Sequence, residues 1–99
     1  MNEIESVGLI EESLRKLESE KMIDGKLNFS ESLPLLGPGT QLDSLGFISF
    51  LTDLEERISL KTDEETYIVL NNIENFDINQ SKLTVLQLAQ HIVKLTNAS

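Results

Sequence analysis

Apolar residues spaced at the period of an α-helix constrain this sequence more than any other feature. Phe47, Phe50, Leu51, Leu54 and Ile58 fall at i, i+3, i+4, i+7 and i+11, so one face of a helix collects them all. This stripe predicts a helix from Asp43 or Ser44 to about Ser59. Ile4, Val7, Ile10, Leu14 and Leu17 predict an earlier one from Glu3 to Glu20. Asn2 suits its N-cap, and Glu3 and Glu5 sit where the helix dipole favours negative charge. Leu88, Ala89, Ile92 and Val93 follow the capping box Thr84-Val85-Leu86-Gln87 and predict a last helix to about Thr96. A second capping box, Thr62-Asp63-Glu64-Glu65, predicts a short third helix to about Ile73, against the β-propensity of Thr66, Tyr67, Ile68 and Val69. Asn71, Asn72, Asn75, Asp77, Asn79 and Ser81 make the connection after it irregular.

Between the first two helices, from Lys21 to Leu42, the periodicity dissolves. Asp24-Gly25, Pro34 and Gly37-Pro38-Gly39 are turn formers, while Leu27, Phe29, Leu33, Leu35 and Leu36 are apolar anchors. This is a long loop tied down at intervals, and loops of such length in a compact domain are usually functional. The expected fold is all-α: a small four-helix bundle with a long loop between helices 1 and 2 and a short third helix. The 99 residues supply one core, hence a single domain over residues 1–99. Aromatics are only 5% and tryptophan is absent, so Leu, Ile and Val must build that core.

Charge narrows the partners. Seventeen acidic residues against eight basic ones give a net charge of −9. That field repels phosphate backbones and anionic headgroups, so no nucleic-acid partner and no membrane are expected. It favours protein partners with basic patches. No cysteine is present, which removes disulfides, thiolate nucleophiles and Cys-based metal sites. The acidic start and the shortness of the longest apolar run, Ile68-Val69-Leu70, fit a cytoplasmic protein.

Catalytic arrangements find little support. His91 is the sole histidine, so Cys-His dyads and multi-His metal sites are impossible. Its place between Ala89 and Ile92 predicts a surface or half-buried helix residue. Gly37-Pro38-Gly39 lacks the residues of a phosphate-cradling loop. The acids Glu55-Glu56 and Asp63-Glu64-Glu65 read as solvated helix faces and first-turn charge. A non-enzyme is expected.

The informative segment is Leu42-Asp43-Ser44-Leu45, with Phe50-Leu51-Thr52-Asp53-Leu54-Glu55-Glu56 following on the same helix. Leu45 and Ile48 lie off the core stripe, beside Ser49 and Thr52, as a second apolar patch, so either this helix is almost wholly buried or one patch serves a partner. The chain resembles the acyl carrier protein family, whose signature is Asp-Ser-Leu at the start of the second helix and then an apolar helix ending in Leu-Glu-Glu. A preceding long loop with a nearby glycine, an acidic stretch after the helix and a last helix opening Thr-Val extend the resemblance over nearly the whole chain.

The resemblance implies that Ser44 carries 4′-phosphopantetheine in a phosphodiester bond and that acyl groups ride on its terminal thiol. The partners implied are a phosphopantetheinyl transferase and acyl-transferring or acyl-modifying enzymes, with the protein a monomer. Asp43 either helps the transferase position its metal and substrate or serves only as an N-cap. Carriers for fatty-acid synthesis commonly place acids two and five positions after the serine; here those positions are Gly46 and Ser49. Partner contact then leans on Leu45 and Ile48, with Asp53 and Glu56 supplying charge. This departure implies a specialised lipid, polyketide or envelope pathway. An aminoacyl or peptidyl carrier and an unmodified helical adaptor are the alternatives.

Overall fold

The computed structural model describes residues 1–73 and 82–97. Three helices dominate it: α1 (Glu3–Ser19), α2 (Ser44–Thr62) and α3 (Val85–Asn97). The capping box at Asn2 starts α1 as expected, with Glu5 N–H donating to Asn2 Oδ1 at 2.8 Å and Asn2 N–H to Glu5 Oε1 at 3.2 Å. α1 is the central helix and packs against both α2 and α3. Buried Ser6 and Ser13 keep that contact face small; their hydroxyls donate to Asn2 O at 3.0 Å and Phe50 O at 3.4 Å, so neither is left unsatisfied. The core joins Ile10, Leu14 and Leu17 of α1, Phe50, Leu54 and Ile58 of α2, and Val85, Leu88 and Ile92 of α3.

The long loop contributes Ile23, Leu27, Leu33, Leu35 and Leu42 to the same core. It also forms a feature that the helical pattern did not predict. Strand β1 (Pro34–Leu36) pairs antiparallel with β2 (Leu83–Thr84), Pro34 opposite Thr84 and Leu36 opposite Leu83 with an irregularity between. Just beyond it, Val85 N–H donates to Leu33 O at 3.1 Å and Leu86 N–H to Glu31 O at 2.9 Å. Loop carbonyls thus satisfy first-turn donors of α3 that have no partner within the helix. Thr84 completes the cap, exchanging hydrogen bonds with Gln87 at 2.9 and 3.3 Å. At the other end, Asn97 bonds Met1 twice, accepting from its ammonium at 3.1 Å and donating to its carbonyl at 3.0 Å.

The expected third helix over 62–73 is not formed. Thr62 belongs to α2, its hydroxyl donating to Ile58 O at 2.9 Å, and Asp63 takes a left-handed conformation (φ 59°) that ends the helix. The chain then returns extended along α2, held by Thr66 N–H to Ser59 Oγ at 3.0 Å and Ile68 N–H to a Glu55 carboxylate oxygen at 2.7 Å. The β-branched residues win over the capping pattern because Ser59 and Glu55 satisfy their backbone. A single 3-10 turn, Leu70–Asn72, follows. The irregular connection expected at Asn75–Ser81 lies outside the described residues. The described residues are therefore mostly helical with one small sheet, and none of their helices is long and apolar enough to cross a membrane.

His91 lies deeper than the surface or half-buried position expected of it. It is buried, and its Nε2 has no hydrogen-bond partner among the described residues. Burial holds the imidazole below its ordinary pKa, so the fold favours the neutral ring. In the unfolded chain the ring titrates near pH 6.5. Below that pH the unfolded state binds a proton that the native state does not, so stability falls as pH drops from about 6.5 toward the lowered native value and is level above it. Because this is the sole histidine, urea titrations at about pH 7.5 and 5.5 should show a loss in the wild type that His91→Leu removes. An unchanged slope in the variant would assign the acid sensitivity to another group.

Candidate functional site

The segment that carries Ser44 is built on the turn that ends α1. Lys21 N–H donates to Glu18 O at 3.1 Å and Met22 N–H to Leu17 O at 2.9 Å. With Lys21 left-handed (φ 61°), this is a Schellman motif that closes the last carbonyls of α1 and reverses the chain. A non-glycine residue in that conformation carries a penalty of about 1–2 kcal/mol. Leu27 N–H then donates to Glu18 Oε2 at 2.6 Å and holds that carboxyl below its ordinary pKa.

Gln41 ties this corner to the segment entering α2. Its amide nitrogen donates to Asp24 O at 2.9 Å and Lys26 O at 2.7 Å, and its amide oxygen accepts from Asn28 N–H at 3.2 Å. Asp24 N–H donates in turn to Gln41 O at 2.9 Å. Two residues later, Asp43 takes the extended conformation of an N-cap (φ −84°, ψ −178°), and its Oδ1 accepts from Gly46 N–H at 2.6 Å. Ser44 is the first residue of α2. It is exposed, and its hydroxyl makes no hydrogen bond among the described residues. The N–H groups of Ser44 and Leu45 precede any acceptor within the helix, so they face outward as donors beside that hydroxyl.

Gly46 faces inward and is buried. A Cβ there would stand 3.1 Å from Met22 O and 3.1 Å from Asp43 Oδ1. The close approach of the α1 corner to the head of α2 therefore requires the missing side chain. Of the two positions where an acid was sought, this one is turned away from solvent.

Leu45 and Ile48, by contrast, are 67% and 61% exposed. They share one strip of α2 with Thr52, Glu56 and Leu60, all exposed. Beside the strip runs a shallow groove toward α1, bordered by Lys16, Glu20 and Met22. Asp53 does not belong to the strip. Its carboxylate accepts from Arg57 Nε at 2.6 Å and Lys16 Nζ at 3.2 Å, and its side chain is 13% exposed. Burial raises this carboxyl's pKa, but hydrogen bonds from Arg57, Ser13 and Lys16 outweigh it and hold the group below the usual range. Asp53 thus joins α1 to α2, and the charge on the outer strip comes from Glu56.

A cleft of about 660 Å³ opens on the other side of Ser44, between the α1 corner and residues 40–43. Asp43 and Leu45 line it together with Lys21, Met22, Gln41 and Leu42. Lys21, Gln41 and Gly46 were not among the residues expected at the site. A lysine at the left-handed position hides the helix-end signal that glycine would give, and a glutamine in a polar loop has no pattern at all. Only Gly46, a glycine in a first helical turn, could have been read as a close approach. No family model, no curated protein sequence and no solved structure matches the chain.

Proposed function

We propose that this protein is a non-catalytic acyl carrier, a four-helix bundle of the acyl-carrier type with its third helix reduced to a single turn. It would hold acyl groups as thioesters on 4′-phosphopantetheine attached to Ser44 and deliver them to partner enzymes in the cytoplasm. The observation that carries this reading is the exposed Ser44 hydroxyl in the first turn of α2, which has no hydrogen-bond partner among the described residues. The residues around it fit the group. The Ser44 and Leu45 N–H groups favour a phosphate there. Asp43 keeps one carboxylate oxygen on Gly46 N–H, which fixes the turn, and leaves the other oxygen for the transferase. When bound, the group supplies the thiol that this cysteine-free chain lacks.

Leu45 and Ile48 beside Ser44, with Glu56 two turns on, make the surface for enzymes with basic patches. Neither position two nor position five after Ser44 bears charge, so a specialised lipid, polyketide or envelope pathway fits better than general fatty-acid synthesis. Incubation with coenzyme A and a broad-specificity phosphopantetheinyl transferase should add one phosphopantetheine to the intact mass, and Ser44→Ala should abolish the gain. A wild-type chain that never gains mass with several transferases would instead be an unmodified adaptor using the Leu45/Ile48 patch. A gain that persists in Ser44→Ala would move the attachment to another residue.

A further inference from the structure

The cleft beside Ser44 has a feature that stability alone does not explain. Its rim carries Lys21, a left-handed residue (φ 61°) at a position where glycine is favoured. The same loop uses glycine at its other left-handed positions, Gly25, Gly37 and Gly39. Lys21 forms no ion pair among the described residues, a property it shares with Lys26, whereas Arg15, Lys16, Arg57 and Lys61 all do; only Lys21 combines it with a left-handed backbone. A strained, exposed, unpaired lysine on the wall of a formed cleft is an outlier of the kind that marks a binding site.

We infer that this cleft docks the pantetheine arm tethered at Ser44, with Lys21 donating to it from the rim. The inference rests on the carrier reading. Continuity supports it: Asp43 and Leu45, the two neighbours of Ser44, both line the cleft, so a chain leaving Ser44 starts at its edge. Chemistry supports it as well. Pantetheine is a neutral chain with two amides, hydroxyl groups and a branched apolar centre. The walls alternate apolar Met22 and Leu42 with polar Thr40 and Gln41. Asp24 and Asp43 line the cleft as well as Lys21, so a second anion inside it would meet two carboxylates while a neutral amide chain would not be repelled.

Size and rigidity agree with that occupant. A volume of about 660 Å³ lies within the range of small-molecule sites. The Schellman turn and the Gln41 hydrogen bonds hold both walls before any ligand arrives, which lowers the ordering cost of binding. The docked arm would withdraw its thiol from solvent between encounters with partner enzymes.

The test tethers the arm in two ways. One is transferase loading of Ser44. The other uses Ser44→Cys, whose introduced thiol is unique in this cysteine-free chain. It displaces thiopyridone from a pantetheine–thiopyridine mixed disulfide: one S–S bond breaks as the protein–pantetheine S–S bond forms, and the same two-amide chain is then held by its thiol end, reversed relative to the transferase-loaded arm. In both forms the amide resonances of Met22, Gly25, Thr40 and Gln41 should shift far more than those of Ile48 and Thr52. Lys21→Gly relieves the backbone strain and should leave the fold at least as stable, yet it should reduce those shifts and expose the arm. In the transferase-loaded protein the arm's thiol should then react with an aromatic disulfide several-fold faster in Lys21→Gly than in wild type. Shifts confined to the outer strip of α2, or equal thiol rates in the two proteins, would overturn the cleft assignment. Failure of Ser44 to load while the disulfide-tethered chain still shifts the cleft resonances would remove the carrier reading and leave the docking site standing.

Discussion

Phe50→Ala should destabilise the fold by about 3–5 kcal/mol, the range for truncating a fully buried phenylalanine. The ring is 0% exposed, and its centroid lies 6.4 Å from that of Phe47. Its backbone carbonyl also receives the Ser13 hydroxyl from α1, so the cavity would open where α1 and α2 meet. Leu54 is equally buried, and Leu54→Ala should cost about 2–5 kcal/mol. Leu45→Ala should stay within about 0.5 kcal/mol of wild type, as substitutions outside the packed interior do. Urea unfolding of the three variants reads all of this directly. Similar losses in all three would place Leu45 in the core and end its assignment to a partner surface.

That contrast is partly legible in the amino-acid pattern itself. The stripe at i, i+3, i+4, i+7 and i+11 sets Leu45 and Ile48 apart as a second patch, and the sequence leaves open whether the helix is buried all round; the exposure of both residues decides that it is not. The caps at Asn2, Asp43 and Thr84 are legible because each is a local rule met by local partners. The segment after α2 is not. There a capping box and a run of β-branched residues make opposite predictions, and the outcome turns on Ser59 and Glu55, partners many positions away that take up the Thr66 and Ile68 amides. The sheet is hidden too, because strands of three and two residues are shorter than any alternation can reveal. His91 is misplaced by its sequence context because its burial depends on what packs against α3 rather than on its neighbours along the chain.

Gly46→Asp should destabilise the protein by about 1–3 kcal/mol, the range for forcing extra atoms into a packed site. In an ordinary helix interior, replacing glycine gains stability, because glycine is about 1 kcal/mol worse than alanine there. The sign reverses here because the new Cβ meets Met22 O and Asp43 Oδ1 at 3.1 Å each, and the added carboxylate would stand beside that of Asp43. The Met22 carbonyl cannot easily retreat, since its residue is fixed by the turn that closes α1. Ser49→Glu, on the partly exposed side of the same helix, should change stability by less than about 0.5 kcal/mol. Equal unfolding midpoints for the two variants would mean that the corner of α1 yields freely. The expected inequality has a consequence for partner choice. An acid cannot be added two residues after Ser44 without loosening the turn that presents it, so new charge on this surface has to come from Ser49, Thr52 or beyond.

The paired hydrogen bonds between Met1 and Asn97 bring the first turn of α1 and the last turn of α3 to one spot. A polypeptide entering at Met1 and leaving at Asn97 would therefore begin and finish its path at nearly the same point in space. Folds with that property can be spliced into a surface loop of a larger host without prying its two cut ends apart. The serine-bearing turn would ride along intact, because the hydrogen bonds that shape it lie wholly within residues 17–47.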